Sequence, residues 1–458
     1  MMRDRRKNIP WLDLTIGILV LLIIVVHPTS WAFSLGWLGR LLGFGEQVVK
    51  KAPHFALADI LIWLAGALLL VRIVLLRDWR AFRLLPIASV VLSALAVLSM
   101  LYAQNKLTAL ADVIQFITYF IVLYLLFVNV LSTKDRLQLA MQLWLAVGSI
   151  VAVWAMIHYL DVGRDAIEVS GPFANRNILS GYLAMLIPIA WGLMLTSRSP
   201  WTVAQSLVLA GLGFVVMLSG GPWLAAAAGI LVVTTVRAPK LVPVLLAGLL
   251  LTVLVVFPFC RRDNAHVLAK SVYTYNETRT IEDETERTSQ RYLRWQASLK
   301  FLTPTYFTQD GRAYHTELPT VSRAKHTRQL LLGVGIGNYE SSIERFHGRM
   351  PKPNRNTVEP DTSNLYLVLA VTVGLPALAV FVWLLAGFFR RAAMGCRCAR
   401  DPFLRGLLLG CIGALTSLAI VNVFTETLIR GSGPAMILIF ALIASGTRLA
   451  ERKPTVAE

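Results

Sequence analysis

"GPFANRNILSGYLAMLIPIAWGLML", residues 171–195, joins two contrasting compositions. Its first seven residues hold a glycine, a proline, two asparagines and an arginine; the 18 that follow carry no charge. An uncharged run of that length reaches across most of a bilayer core of roughly 30 Å. The stretch therefore reads as a membrane helix with a polar mouth. That mouth is either an ordinary helix cap or a binding site held at the membrane surface.

The same pattern recurs along the whole chain. Hydrophobic residues make up 56% of the 458 and charged residues only 15%, with a mean hydropathy of +0.62, far from a soluble average. Apolar runs fall at 11–26, 55–76, 84–102, 110–131, 138–158, 178–195, 201–218, 222–236, 240–259, 364–389, 403–425 and 434–448. The expectation is an all-α polytopic membrane protein of about 12 transmembrane helices, of which 222–236 and 434–448 are short for spanning. No A-x-A cleavage signature follows the first run, which reads as a retained helix rather than a signal peptide. The organisation expected is an N-terminal bundle at 1–259, one large hydrophilic loop at 260–363, further helices at 364–448 and a tail at 449–458.

A net charge of +18 could point to nucleic acid, but its distribution points to a membrane. With "MMRDRRKN" in the cytoplasm and sides alternating, cytoplasmic segments hold 21 of the 44 Lys and Arg residues, and short loops opposite hold 7. That is the positive-inside asymmetry. The other 16 lie in 260–363 beside 12 acidic residues. This loop is expected to be extracytoplasmic, with the turns at 103–109, 159–177, 219–221 and 426–433, and both termini cytoplasmic.

Four cysteines force no disulfide: Cys396 and Cys398 fall in a basic turn, Cys411 in a helix and Cys260 near the outer face. Cys-x-Cys without further ligands is a weak metal signal, and no metal is expected. Ionisable residues are scarce at the expected membrane midplane, which argues against a transporter. Asp59, Asp112 and His158 lie instead within about a turn of the outer face, and Glu426 lies just past a helix end. Together they predict a polar cavity open outward.

The large loop carries more. In "ETERTSQRYLRWQASLKFL" (284–302), Tyr292, Trp295, Leu299 and Leu302 recur at helical spacing, predicting an amphipathic helix on the membrane surface or over the bundle. "LLGVGIGNY" (331–339) lacks the strand–turn–helix context of a nucleotide loop, so its glycines are expected to serve a tight turn. Asp361, Thr362, Ser363 and Asn364 stand at the mouth of the next apolar run, as Asn175 and Asn177 do at 178. Such residues cap helices, and a helix start with arginines nearby is also an anion site.

These elements resemble the O-antigen ligase and O-antigen polymerase superfamily (the Wzy_C type). "GPFANRNILSGYL" is similar to its G-x-F-x-N-x-N…Y-L element, and "RYLRWQASL" to its Arg-x-x-x-Trp element. "GVGIGNY" resembles its glycine element, and "SNLYLVLAVTVGLPAL" its final loop-to-helix element. The resemblance covers roughly residues 170–430. It implies a GT-C-like membrane glycosyltransferase of the bacterial inner membrane, facing the periplasm. The implied donor is a glycan on undecaprenyl diphosphate, passed to another lipid-linked glycan or to a lipid acceptor without metal or cofactor. A flippase and a chain-length regulator are the implied partners.

Carried over by position, Arg291 is the implied diphosphate contact. Asn175 and Asn177 would shape the donor pocket, with Arg176 a second cation and Asn364, Arg430 and Glu426 further substrate contacts. Two positions depart from the ligase pattern: Ser363 stands where a histidine is usual, and Gly220 where an arginine is usual. Serine is no unassisted base near neutral pH and glycine carries no charge. Asp361 or His347 would take the histidine's role, and Arg430 or Arg164 the arginine's. The departures also admit another class of function, a non-catalytic scaffold in a polysaccharide assembly complex.

Overall fold

The computed structural model describes residues 9–29, 32–34, 54–162, 169–173, 176–197, 199–217, 220–251, 290–303, 323–343, 364–428 and 432–452. In chain order the helices are α1 (Pro10–Val26), α2 (Leu57–Leu76), α3 (Ile87–Met100), α4 (Lys106–Val130), α5 (Lys134–Val162), α6 (Arg176–Met194), α7 (Pro200–Val216), α8 (Gly220–Arg237) and α9 (Val242–Leu251). Then come α10 (Gln290–Leu302), α11 (Arg323–Leu332), α12 (Tyr339–Ile343), α13 (Leu365–Thr372), α14 (Leu375–Cys398), α15 (Pro402–Phe424) and α16 (Gly433–Glu451). Among the described residues, β1 (Ala32–Ser34) pairs antiparallel with β2 (His54–Ala56), in the register Phe33 opposite Phe55.

Within the described residues each apolar run overlaps helix, the run at 240–259 being described only to residue 251. Among the described residues, seven helices are long and apolar enough to cross a membrane: α2, α4, α5, α6, α14, α15 and α16. The chain is a polytopic, mainly helical membrane protein. α16, expected to be short, runs for 19 residues and is buried almost throughout. With α6 it forms the middle of the bundle, because both helices are apolar all round and need neighbours on every side.

The run at 364–389 is not one helix. α13 stops at Thr372, and α14 starts at Leu375 after Gly374, whose φ is 107°. Pro376, in the first turn of α14, suits a helix start because its missing N–H has no intrahelical acceptor there. α4 is interrupted more gently, by a π-helical stretch at Thr118–Leu123.

Close backbone approach holds α6, α8 and α15 together. A Cβ placed on Gly410 would lie 2.7 Å from the Cα of Ile189, so that crossing tolerates no side chain. Polar bonds fasten the same three helices. Trp191 Nε1 donates to Thr234 Oγ1 at 2.9 Å, and Ser417 Oγ to the Ala225 carbonyl at 2.8 Å. Gly181 faces Val421 while Gly192 faces Gly406 and Gly410, so α6 and α15 run antiparallel. The starts of α6, α8 and α13 therefore share one end of the bundle with the end of α15. At the other end Lys134 Nζ meets Asp401 Oδ2 at 2.5 Å, Arg72 pairs with Asp13, and Arg237, Lys240, Arg390, Arg391, Arg397 and Arg448 gather.

Candidate functional site

The site is built from the glycine loop outward. α13 ends inside the bundle, and its last carbonyls need donors that no further helical turn supplies. The loop after α11 provides them: Val334 N–H donates to Val371 O at 2.9 Å and Gly335 N–H to Thr372 O at 3.0 Å. The fit requires glycine. Gly335 has a φ of 100°, and a Cβ there would lie 2.6 Å from the Cα of Ala103. The expected tight turn thus supplies the donors that the broken helix lacks.

Asn338 fixes the loop to the turn between α3 and α4. Its Oδ1 accepts from Asn105 N–H at 2.7 Å, while its Nδ2 donates to Asn105 O at 3.2 Å and Ile336 O at 2.9 Å. Ile336 N–H donates to Ser99 Oγ at 3.3 Å. Asp112, expected in an open cavity, lies against Gly337, where a Cβ would stand 2.6 Å from its Oδ2. Asp59 accepts from Tyr119 Oη at 3.2 Å and from Ala56 N–H at 3.3 Å, so it caps α2 and ties it to α4. His158 is half-buried on α5.

The next residue, Tyr339, carries the connection to α10. Its Oη and Ser298 Oγ lie 2.6 Å apart, both side chains buried. Ala297 and Phe301 of α10 pack with Val334, Tyr339, Ile343 and Val371 in a separate apolar cluster. α10 therefore covers the bundle with a face shifted from the one its periodicity predicts, which keeps Leu302 against the cluster. Ala297, Ser298 and Phe301 are buried whereas Leu299 is 41% exposed, because small residues permit close approach and Ser298 supplies a hydroxyl. Arg291 lies in the first turn of α10, two turns before Ser298; its side chain is outside the described residues.

Asn364 caps α13: it is buried, and its Oδ1 accepts from Leu367 N–H at 3.1 Å. Tyr366 Oη donates to Ala419 O at 2.8 Å, joining α13 to α15. Where α15 ends lies a group of buried polar residues, Asn422, Thr425, Glu426, Thr427 and Ser432, of which the sequence pointed only to Glu426. Asn422 Oδ1 accepts from Thr427 Oγ1 at 2.7 Å, and Ser432 Oγ donates to Thr427 O at 3.2 Å. Asn422 Nδ2 and Thr425 Oγ1 are buried with no hydrogen-bond partner among the described residues, and Glu426 is 4% exposed. An asparagine deep in an apolar run was the available signal. Gly221, in the first turn of α8, lies directly against the ring of Phe424 at the same end.

The opening stretch joins this end through aromatic packing. Phe173 N–H closes a turn on Ser170 O at 3.1 Å, and its ring lies 5.2 Å from that of Tyr182. The His27 imidazole follows α1 and stands 5.5 Å from the same tyrosine. Burial pushes its pKa down to about 4, against the opposing pull of the backbone bonds to Ile24 and Ile23. Arg176 and Asn177 open α6 and are half-buried.

Of the expected site residues, the structure thus brings Arg176, Asn177, Asn364 and Glu426 to one end of the bundle, and it docks the helix bearing Arg291 there. Asn175, His347, Asp361, Ser363 and Arg430 lie outside the described residues, as do Arg164 and Cys260. Among the described residues no group of three or more His, Cys, Asp or Glu could hold a metal. Cys396 is half-buried, Cys398 exposed and Cys411 buried, all as free thiols. Residues 205–382 match the family model described as O-antigen ligase. The matched span takes in α10, the glycine loop and Asn364, and leaves out 171–177 and 422–432. No curated protein matches the chain.

Proposed function

We propose, for a chain whose O-antigen ligase domain at residues 205–382 supports membership of that superfamily, a membrane glycosyltransferase of polysaccharide assembly. Its donor is a glycan on undecaprenyl diphosphate, taken at the periplasmic face of a bacterial inner membrane. The acceptor is a second lipid-linked glycan or a lipid. An acceptor hydroxyl attacks the anomeric carbon of the donor glycan, the bond from that carbon to the diphosphate breaks, and undecaprenyl diphosphate leaves. Arg291 stabilises the charge that grows on the departing diphosphate, since a guanidinium presents several donors to phosphate oxygens in a site with little water. Arg176 acts as a second cation, and Asn175, Asn177, Asn364, Glu426 and Arg430 line the pocket. Asp361 or His347 takes the acceptor proton, a role Ser363 cannot fill alone.

The observation that carries this reading is the joint packing of α10, the glycine loop and α13. Three elements that resemble the superfamily, separated in sequence, form one body around the Ser298–Tyr339 bond. The experiment is Arg291→Ala in purified protein given lipid-linked repeat units. Loss of transfer at unchanged protein level is expected, and normal product overturns the assignment.

A second reading, a scaffold that keeps the fold without the chemistry, draws on the start of α8. There Gly220 stands where the ligase pattern has an arginine, and the next residue, Gly221, is packed against Phe424. Wild-type protein that yields no product with any lipid-linked donor favours that reading.

A further inference from the structure

At the end of the bundle opposite the candidate site, α4, α14 and α16 bring together cations that form no ion pair among the described residues. Arg448, on the last turn of α16, reaches inward rather than out to water. Its Nη2 donates to the Val128 carbonyl of α4 at 2.8 Å and to Ser445 Oγ at 3.2 Å. Its Nε is buried and finds no acceptor among the described residues. Arg391 on α14 and Arg452, just past α16, are near enough for their charges to act on it. Thr447 Oγ1 donates to the Arg391 carbonyl at 3.2 Å, which locks α14 and α16 side by side at this point. The Tyr124 hydroxyl of α4 stands within reach of the charges of both Arg391 and Arg448.

The carboxylates nearby do not neutralise this group. Asp401 is held by Lys134, and Asp135 and Glu451 are exposed and form no ion pair among the described residues. Three like charges, one of them desolvated, repel at a cost that water screens poorly inside a bundle. A cation that serves only to orient the chain would sit exposed in a loop. Arg448 is instead half-buried and held by a main-chain carbonyl, with its Nε–H buried and without an acceptor among the described residues.

We propose that Arg391, Arg448 and Arg452, with the hydroxyl of Tyr124, form a binding site for a phosphate group at the basic end of the bundle. Guanidinium groups are planar donors whose geometry matches phosphate oxygens. At a membrane surface the ready source of such a group is the headgroup of an anionic phospholipid, whose chains would lie along the exposed face of α14. A soluble phosphate offers the same chemistry. The site is separate from the glycosyl-transfer reading and does not depend on it.

The test uses the full chain reconstituted in phosphatidylcholine bilayers, with or without phosphatidylglycerol, and in phosphatidylcholine with inorganic phosphate. The readout is the midpoint of thermal unfolding. Phosphatidylglycerol is expected to raise the wild-type midpoint by about 4 °C. The double variant Arg391→Gln with Arg452→Gln should lose more than half of that rise. Arg448 is left in place because its bond to Val128 helps hold the helices. The control Arg237→Gln with Lys240→Gln, at the same end, should keep the full rise. An equal rise with inorganic phosphate assigns the site to a soluble ligand; a rise only with phosphatidylglycerol assigns it to lipid. The proposal is overturned if neither addition moves the wild type, or if the Arg391 and Arg452 variant responds as fully as the control.

Discussion

Ser298 Oγ and Tyr339 Oη lie 2.6 Å apart in the buried seam between α10 and the glycine loop. This bond helps hold a helix from the large loop on the bundle, two turns from Arg291. Removing one hydroxyl leaves the other buried with a lost partner, which costs on the order of 1–3 kcal/mol. Ser298→Ala and Tyr339→Phe should each lower glycan transfer several-fold. The two together should cost less than the sum, since each removes the same bond. Transfer rates across the four proteins of that cycle measure it, and simple additivity would show that the pair is not coupled.

Gly335 supports the same assembly from the backbone. A side chain there meets Ala103 and must adopt a φ of 100°, which L residues rarely take. Gly335→Ala should therefore destabilise the protein by roughly 3 kcal/mol, through strain and a clash that neither neighbour relieves by rotamer change. The loop should also become open to protease at lower temperature. Digestion of detergent-solubilised protein checks this, with cleavage expected near 333–338. A variant as resistant as wild type would mean that the tight turn is dispensable.

His27 predicts a pH dependence. Its folded pKa is depressed to about 4 by burial, below the ordinary value of 6.5, so the unfolded chain binds the extra proton first. Stability is fully present above about pH 6.5 and is lost as pH falls toward 4, by roughly 3 kcal/mol at most. The midpoint of unfolding should drop across that window in wild type and flatten in His27→Gln. An unchanged slope in the variant would assign the acid sensitivity to other groups.

Much of the scaffold was legible in the sequence because a membrane helix announces itself by length. Within the described residues the apolar runs overlap helices, including α16, whose short run nonetheless forms a buried centre. The break at Gly374 was not seen, although "VTVGLPAL" carries both a glycine and a proline in the right places. Hydropathy is continuous across it, and only the loop that feeds N–H groups to Val371 and Thr372 makes an interruption tolerable. The buried face of α10 was misread for a related reason. Periodicity weighs Trp295 and Leu299, whereas the contact is made by Ala297 and Ser298, whose small size is what allows it. Asp59 and Asp112 were expected to open a cavity; Asp59 closes a contact between α2 and α4, and Asp112 packs against the glycine loop. The buried polar group where α15 ends went largely unnoticed because Asn422 sits inside an apolar run, and only the fold joins it to Thr427.

The most direct measurement gives purified protein undecaprenyl-diphosphate-linked repeat units and separates the products by length. The account predicts product from wild type, either a ladder for a polymerase or a single transfer for a ligase. It predicts a loss of at least about 100-fold in Arg291→Ala, the scale expected when a charged group that stabilises a leaving group is removed. The variant should unfold at the wild-type temperature. Undiminished product from Arg291→Ala, or no product from wild type in either format, would contradict the account.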